Sequence, residues 1–207
     1  MSDVFNPCPL PWSIWQGGLT LTHSDTDVTP ECSVEFGVEV VRATTHWESL
    51  WVRVDFERAG FVAAKPHRDD EQLTDVTGYD IVPRREPFSE QKWRREEAEW
   101  LRTGVCPDPS FYFSTDSSWL EQVRQPWAER QRMSLRPITS SVRMPRVPGT
   151  GRSADDAVHF LLDGRDGYLE IIAAGFTWRA WPYGTPLWSD VSGEPVMSGE
   201  WTGGPLG

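Results

Sequence analysis

The chain has 207 residues and a formal net charge of −11, with 20 Lys and Arg against 31 Asp and Glu. That balance excludes a nucleic-acid backbone or an anionic membrane surface as partner, since both are held through Lys and Arg, and it leaves room for a basic protein. The length suffices to bury a core without metal or disulfide staples, and three cysteines with no CxxC pair point to reduced thiols in the cytoplasm.

Residues 1–11 are Pro-rich, with neither the basic start nor the apolar run of a signal peptide, and read as an extended lead-in. No apolar segment reaches the length of a membrane span. Residues 12–23 read as two short strands about Gly17 and Gly18, and residues 24–30 as a polar turn. In residues 33–42, Val34, Phe36, Val38 and Val40 alternate with Glu35, Glu39 and Val41, which is the period of a half-buried strand. Residues 50–56 alternate too, with Arg53 and Asp55 on the wet face, and residues 61–64 read as a continuation. Residues 33–56 are therefore expected to form an antiparallel pair. Residues 65–77 form a charged loop, and residues 79–82 a short strand before Pro83.

The best helix spans residues 89–103. Ser89 is the expected N-cap, Glu90 suits the positive helix end and Gly104 is the left-handed stop. Trp93, Trp100 and Leu101 make its apolar stripe, with Arg94, Arg95, Glu96 and Glu97 on the wet side. Ser117 or Ser118 caps a second helix through Gln125, closed by Pro126, and residues 127–133 add another turn. Residues 135–144 read as a strand and residues 145–156 as a loop.

The clearest signal is the hairpin at about 158–173. A four-residue loop, 164–167, puts Leu162 opposite Leu169, Phe160 opposite Ile171 and Val158 opposite Ala173, which makes one face wholly apolar. His159, Leu161, Tyr168, Glu170 and Ile172 occupy the other. A five-residue loop would turn Glu170 to the core, and burying an unpaired carboxylate costs several kcal/mol. Gly164 and Gly167 are read as the positions with positive φ. Residues 177–181 read as a third strand, and the Pro-, Gly- and Trp-rich stretch from about 182 as an irregular tail. With no break in composition, the expectation is one domain, 1–207, of α+β class: a mainly antiparallel sheet, a central hairpin and two mid-chain helices.

Chemical motifs are sparse. His67, Asp69 and His159 contain the ingredients of a 2-His-1-carboxylate metal site, but His67 lies in a charged loop and His159 in the hairpin, diagonal to Glu170. Residues 148–153 approximate a phosphate loop with Arg146 where its first glycine belongs, and read as a connector. Cys106 follows a helix C-terminus, which disfavours a thiolate. No nucleophile elbow, HExxH or EF-hand occurs, so no catalytic residue and no cofactor are assigned. The twelve tryptophans follow no period. They read mostly as core and interface mass, with a Trp-lined ligand pocket as the sharper alternative.

The string Trp100, Gly104, Cys106-Pro107-Asp108-Pro109, Phe111-Tyr112, then Ser118-Trp119-Leu120 and the hairpin, resembles small uncharacterised actinobacterial proteins. Some of these are immunity proteins to polymorphic toxins, and the likeness covers roughly residues 93–173. It implies an intracellular, non-enzymatic, protein-binding role and transfers no functional residue. The expected function is thus a non-catalytic binding module, immunity- or inhibitor-like, for a basic protein. The alternative is a small enzyme or ligand-binding domain using a Trp-lined pocket and the His67, Asp69 and His159 set. The expected contact surface joins the acidic loop residues Asp69, Asp70, Glu71 and Asp75 to Glu96, Glu97 and Glu99 on the helix, with Trp119, Trp127 and Trp188 as aromatic anchors.

Overall fold

The strands that alternation predicts do form, and they sort into two sheets rather than one. A computed structural model describes residues 3–14, 19–25, 30–42, 46–57, 59, 61–66, 73–82, 89–120, 157–164, 167–184 and 193–201. In chain order the elements are β1 (Val4–Pro7), β2 (Ser13–Ile14), β3 (Thr20–Asp25), β4 (Pro30–Arg42), β5 (His46–Glu57), β6 (Phe61–Pro66), α1 (Leu73–Thr77), β7 (Asp80–Ile81), α2 (Glu90–Thr103), β8 (Phe111–Ser114), β9 (Val158–Asp163), β10 (Gly167–Ala173), β11 (Gly175–Pro182) and β12 (Met197–Trp201). The first sheet runs β6-β10-β9-β8-β1-β7; the second runs β12-β11-β5-β4-β2, with β3 also on β4. Neighbouring strands are antiparallel except β1 and β7, which are parallel. The class is α+β with a mainly antiparallel sheet architecture.

The hairpin has the expected register: Leu162 faces Leu169, Phe160 faces Ile171 and Val158 faces Ala173. Its apolar face meets the inward face of the second sheet, where Val34, Phe36, Val38 and Val40 of β4 and Leu50, Val52, Val54 and Phe56 of β5 are buried. One core cluster joins the two layers. At its centre Phe111, Phe160, Phe176 and Trp201 lie ring against ring, with centroids 4.9–5.9 Å apart, within the range where aromatic pairs add to burial.

Several local expectations change. Gly164 does not take a positive φ; a Cβ there would stand 2.7 Å from Leu19 Cγ, so a close approach and not a turn angle calls for glycine. The lead-in contains β1, which pairs with both β7 and β8. The two strands of residues 12–23 each pair with β4 and not with each other. β6 leaves β5 to pair with β10, while β11, expected beside the hairpin, crosses to β5. Within the charged stretch 65–77 lies the short helix α1, and the tail expected to be irregular contributes β12, paired to β11.

Helix α2 is capped as its sequence requires. Ser89 Oγ accepts from Lys92 N at 3.1 Å, and Gly104, at φ 71°, donates its N–H to Trp100 O. The apolar stripe is narrower than expected: Trp100 is buried, but Trp93 is 39% and Leu101 46% exposed. A helical turn at residues 118–120 stands where the second mid-chain helix is expected to begin. The remainder of that expected helix, with the expected strand at 135–144 and loop at 145–156, falls outside the described residues.

Candidate functional site

Two surfaces gather polar or aromatic side chains beyond the shared core. The first lies behind the hairpin, on the outer face of the first sheet. Alternation sends His159 and Leu161 of β9 and Tyr168, Glu170 and Ile172 of β10 to that face. There Leu73 of α1 packs with Phe5, Ile81, Tyr112, Leu161 and Tyr168 of the sheet. Glu170 is therefore buried, yet paired. Tyr79 Oη donates to its Oε1 at 2.8 Å, and Lys65 Nζ stands 2.9 Å from Oε2. Such pairing offsets the desolvation that an isolated carboxylate would suffer. Burial, reinforced by the bond to Glu170, pushes the Tyr79 hydroxyl well above its ordinary pKa. Burial works against the Lys65 charge, but Glu170 outweighs it and holds the ammonium above its usual value.

His159 lies beside this pair without bonding to it. Its Nδ1 is 2.9 Å from Ser117 Oγ, and its ring meets the edges of Phe5 and Tyr79 at 5.0 and 5.9 Å. Its Nε2 is buried without a hydrogen-bond partner. Burial lowers its pKa to about 4, against smaller opposing effects of Glu170 and Asp3, so the imidazole is neutral at pH 7. A hydroxyl on an imidazole is half of a nucleophilic triad. Here, however, no carboxylate orients the second nitrogen, and Ser117 is itself buried. The contact is structural: it fastens residues 117–120 to the sheet, as does Asp3, whose carboxylate accepts from Ser118 N and Oγ at 2.9 Å each.

The second surface is the outer face of the second sheet. Glu35, Gly37, Glu39 and Val41 of β4 point outward there, beside Trp47, Ser49, Trp51, Arg53 and Asp55 of β5 and Thr177, Arg179 and Trp181 of β11. A ladder of charge crosses it: Arg53 is 3.7 Å from Glu35 and donates to Asp55 at 2.7 Å, and Arg179 donates to Asp55 at 2.9 Å. Beside the ladder stands an aromatic row. Trp93 of α2 stacks on Trp47 at 4.9 Å, Trp100 meets Trp47 edge-on at 5.6 Å, and Tyr183 tilts over Trp51 at 6.2 Å. Tyr183 is 64% exposed. Glu39 sits in this row as a half-buried carboxylate. Burial alone raises its pKa, and among the described residues no ion-pair partner faces it.

The expected contact surface divides between these places. Asp75 is exposed on α1, over the outer face of the first sheet, whereas Glu96, Glu97 and Glu99 lie on α2, beside the second. The core separates the two groups, so they do not form one continuous face. Trp119 is half-buried against Leu120, Ala157 and Ile172 and serves packing. Asp69, Asp70, Glu71, Trp127 and Trp188 lie outside the described residues, as do His67 and Asp69 of the expected metal set; its third member, His159, is the buried neutral imidazole held by Ser117. Among the described residues no three His, Cys, Asp or Glu side chains converge as metal ligands. The three cysteines are buried free thiols. Burial, more than the helix end, lifts Cys106 to about 12. Alternation had put Glu39 on the outer face of its strand, but nothing in the sequence told that Trp47 and Trp51 would flank it there.

No protein-family model, curated protein or solved structure matches this chain in comparison. Among the described residues no helix is long and apolar enough to cross a membrane.

Proposed function

We propose that this chain is a non-catalytic protein-binding module, of immunity or inhibitor type, for a basic partner. The observation that carries the reading is the aromatic row on the outer face of the second sheet. Trp93, Leu101 and Tyr183 are large apolar side chains left exposed, and Trp93 and Tyr183 rest on rings of the sheet beneath. Interfaces concentrate their energy in aromatic anchors of this kind, within a polar rim. Glu96, Glu97 and Glu99 of α2 supply an acidic rim, and the net charge of −11 favours a cationic partner.

The test is capture of a partner from cells by tagged protein, followed by kinetics with the purified pair. Trp93→Ala with Tyr183→Ala should speed dissociation and weaken binding by roughly tenfold or more, as hot-spot truncations do. Association should slow as salt rises, while dissociation changes little. Affinity unchanged by both the aromatic truncations and salt would sink this reading.

A further inference from the structure

We propose that Glu39, with Trp47 and Trp51 on either side, is the seat for a cationic side chain, lysine or arginine, of the protein partner. The inference rests on the binding-module reading and names the contact within it. The register builds the seat. Ser49 lies directly opposite Glu39 on β5, and Gly37 opposite Trp51, while Val41 faces Trp47. Trp47 and Trp51 are thus the two diagonal neighbours of Glu39, a spacing within reach of long and aromatic side chains. The register thus sets a small serine between two indoles, directly opposite the carboxylate. Ser13 of β2 closes the other flank of Glu39 and is tied down by its hydroxyl, which donates to Asp108 O at 2.9 Å. Tyr183, whose N–H donates to Ser49 O at 3.3 Å, extends the Trp51 wall, and Trp93 extends the Trp47 wall.

Charge complementarity selects the occupant. The arginines of this face, Arg53 and Arg179, are already engaged with Glu35 and Asp55. Among the described residues Glu39 has no ion-pair partner, although burial makes its charge costly. A cation seated there would meet that charge beside two indoles at once. Desolvated indoles attract Lys and Arg, the guanidinium by stacking as well. An anionic or purely apolar group would leave the carboxylate worse solvated than before. A second copy of this chain brings the same negative net charge and is disfavoured on the same ground.

The experiment titrates the intact protein with acetyl-Gly-Lys-Gly-amide, its arginine counterpart and its norleucine counterpart, following the indole N–H resonances of Trp47 and Trp51. The expected result is saturable shifts with the two cationic peptides and none with norleucine. Glu39→Gln should weaken the cationic peptides roughly tenfold, whereas Asp116→Asn, an exposed acid in the bend after β8, should leave them unchanged. Ser49→Lys provides a second route: an ammonium supplied from within should sit on Glu39, raise the Tm and abolish peptide binding. Equal losses in Glu39→Gln and Asp116→Asn, equal binding of norleucine, or a Ser49→Lys variant that still binds would overturn the proposal. So would a dimer in sedimentation that Glu39→Gln dissolves. A captured protein partner that ignores Glu39→Gln but is lost on truncating Trp93 and Tyr183 would refute the seat and leave the module reading standing.

Discussion

Removing the imidazole of His159 should flatten part of the acid side of the stability curve. In the unfolded chain this histidine takes a proton near pH 6.5; in the folded protein burial delays that to about 4. Between those values the unfolded state holds one proton more, so stability falls as pH falls. The slope approaches about 1.4 kcal/mol per pH unit. Above pH 6.5 neither state is protonated at this site and nothing is lost; by pH 4.5 the loss is on the order of 2 kcal/mol. His159→Asn keeps a polar atom within reach of Ser117 Oγ and removes the titration. Urea unfolding of both proteins from pH 7 to 4.5 gives the difference curve, in which the other histidines and the carboxylates cancel. The wild type should lose about 2 kcal/mol more than the variant across that window. Parallel curves, or an NMR titration placing the His159 pKa near 6.5, would show that the ring is not shielded and that the Ser117 contact opens freely.

Leu162→Ala, at a fully buried site facing both Leu169 and the second sheet, should cost about 2–5 kcal/mol in chemical denaturation. Tyr79→Phe removes the hydroxyl bonded to buried Glu170 and should cost about 1.5–3 kcal/mol. In a double-mutant cycle, Glu170→Gln should recover part of that loss, because the stranded charge is gone. Gly199→Ala would put a Cβ 2.7–2.9 Å from the Trp178 indole; thermal unfolding should report a loss on the order of 1–3 kcal/mol.

The hairpin was legible because strand periodicity and the cost of burying a charge act within a few residues. Even so, the cost of burying an unpaired charge does not by itself say where Glu170 ends up. Glu170 does turn away from the core, yet it is buried on the far side, where Tyr79 and Lys65 meet it. Those partners come from distant elements, and one sequence carries no sign of them. Helix α2 was legible down to its caps for the same reason of locality. Its Trp93 was not, since helical spacing tells which residues share a stripe but not how wide the surface beneath is. The split into two sheets was hidden because β5 and β6 follow each other, as do β10 and β11, and neighbouring strands are expected to stay together. Glu39 was read as a wet-face residue. What distinguishes it is the pair of indoles across the strand, which the register supplies and the local sequence does not.

The interleaving of the two layers bears on how the protein is made. The first sheet needs β1 together with β9 and β10, and the second needs β4 and β5 together with β11 and β12. Neither layer can close on a partial chain. Between Glu57, where β5 ends, and Ala173, where β10 ends, lie about 115 residues, which at about 5–20 residues per second take on the order of 10 s to synthesise. Throughout that interval the apolar faces of β4 and β5 emerge without the layer that will cover them. Chaperone binding to nascent chains should therefore concentrate on residues 30–57 and end only once β9 and β10 have packed across them.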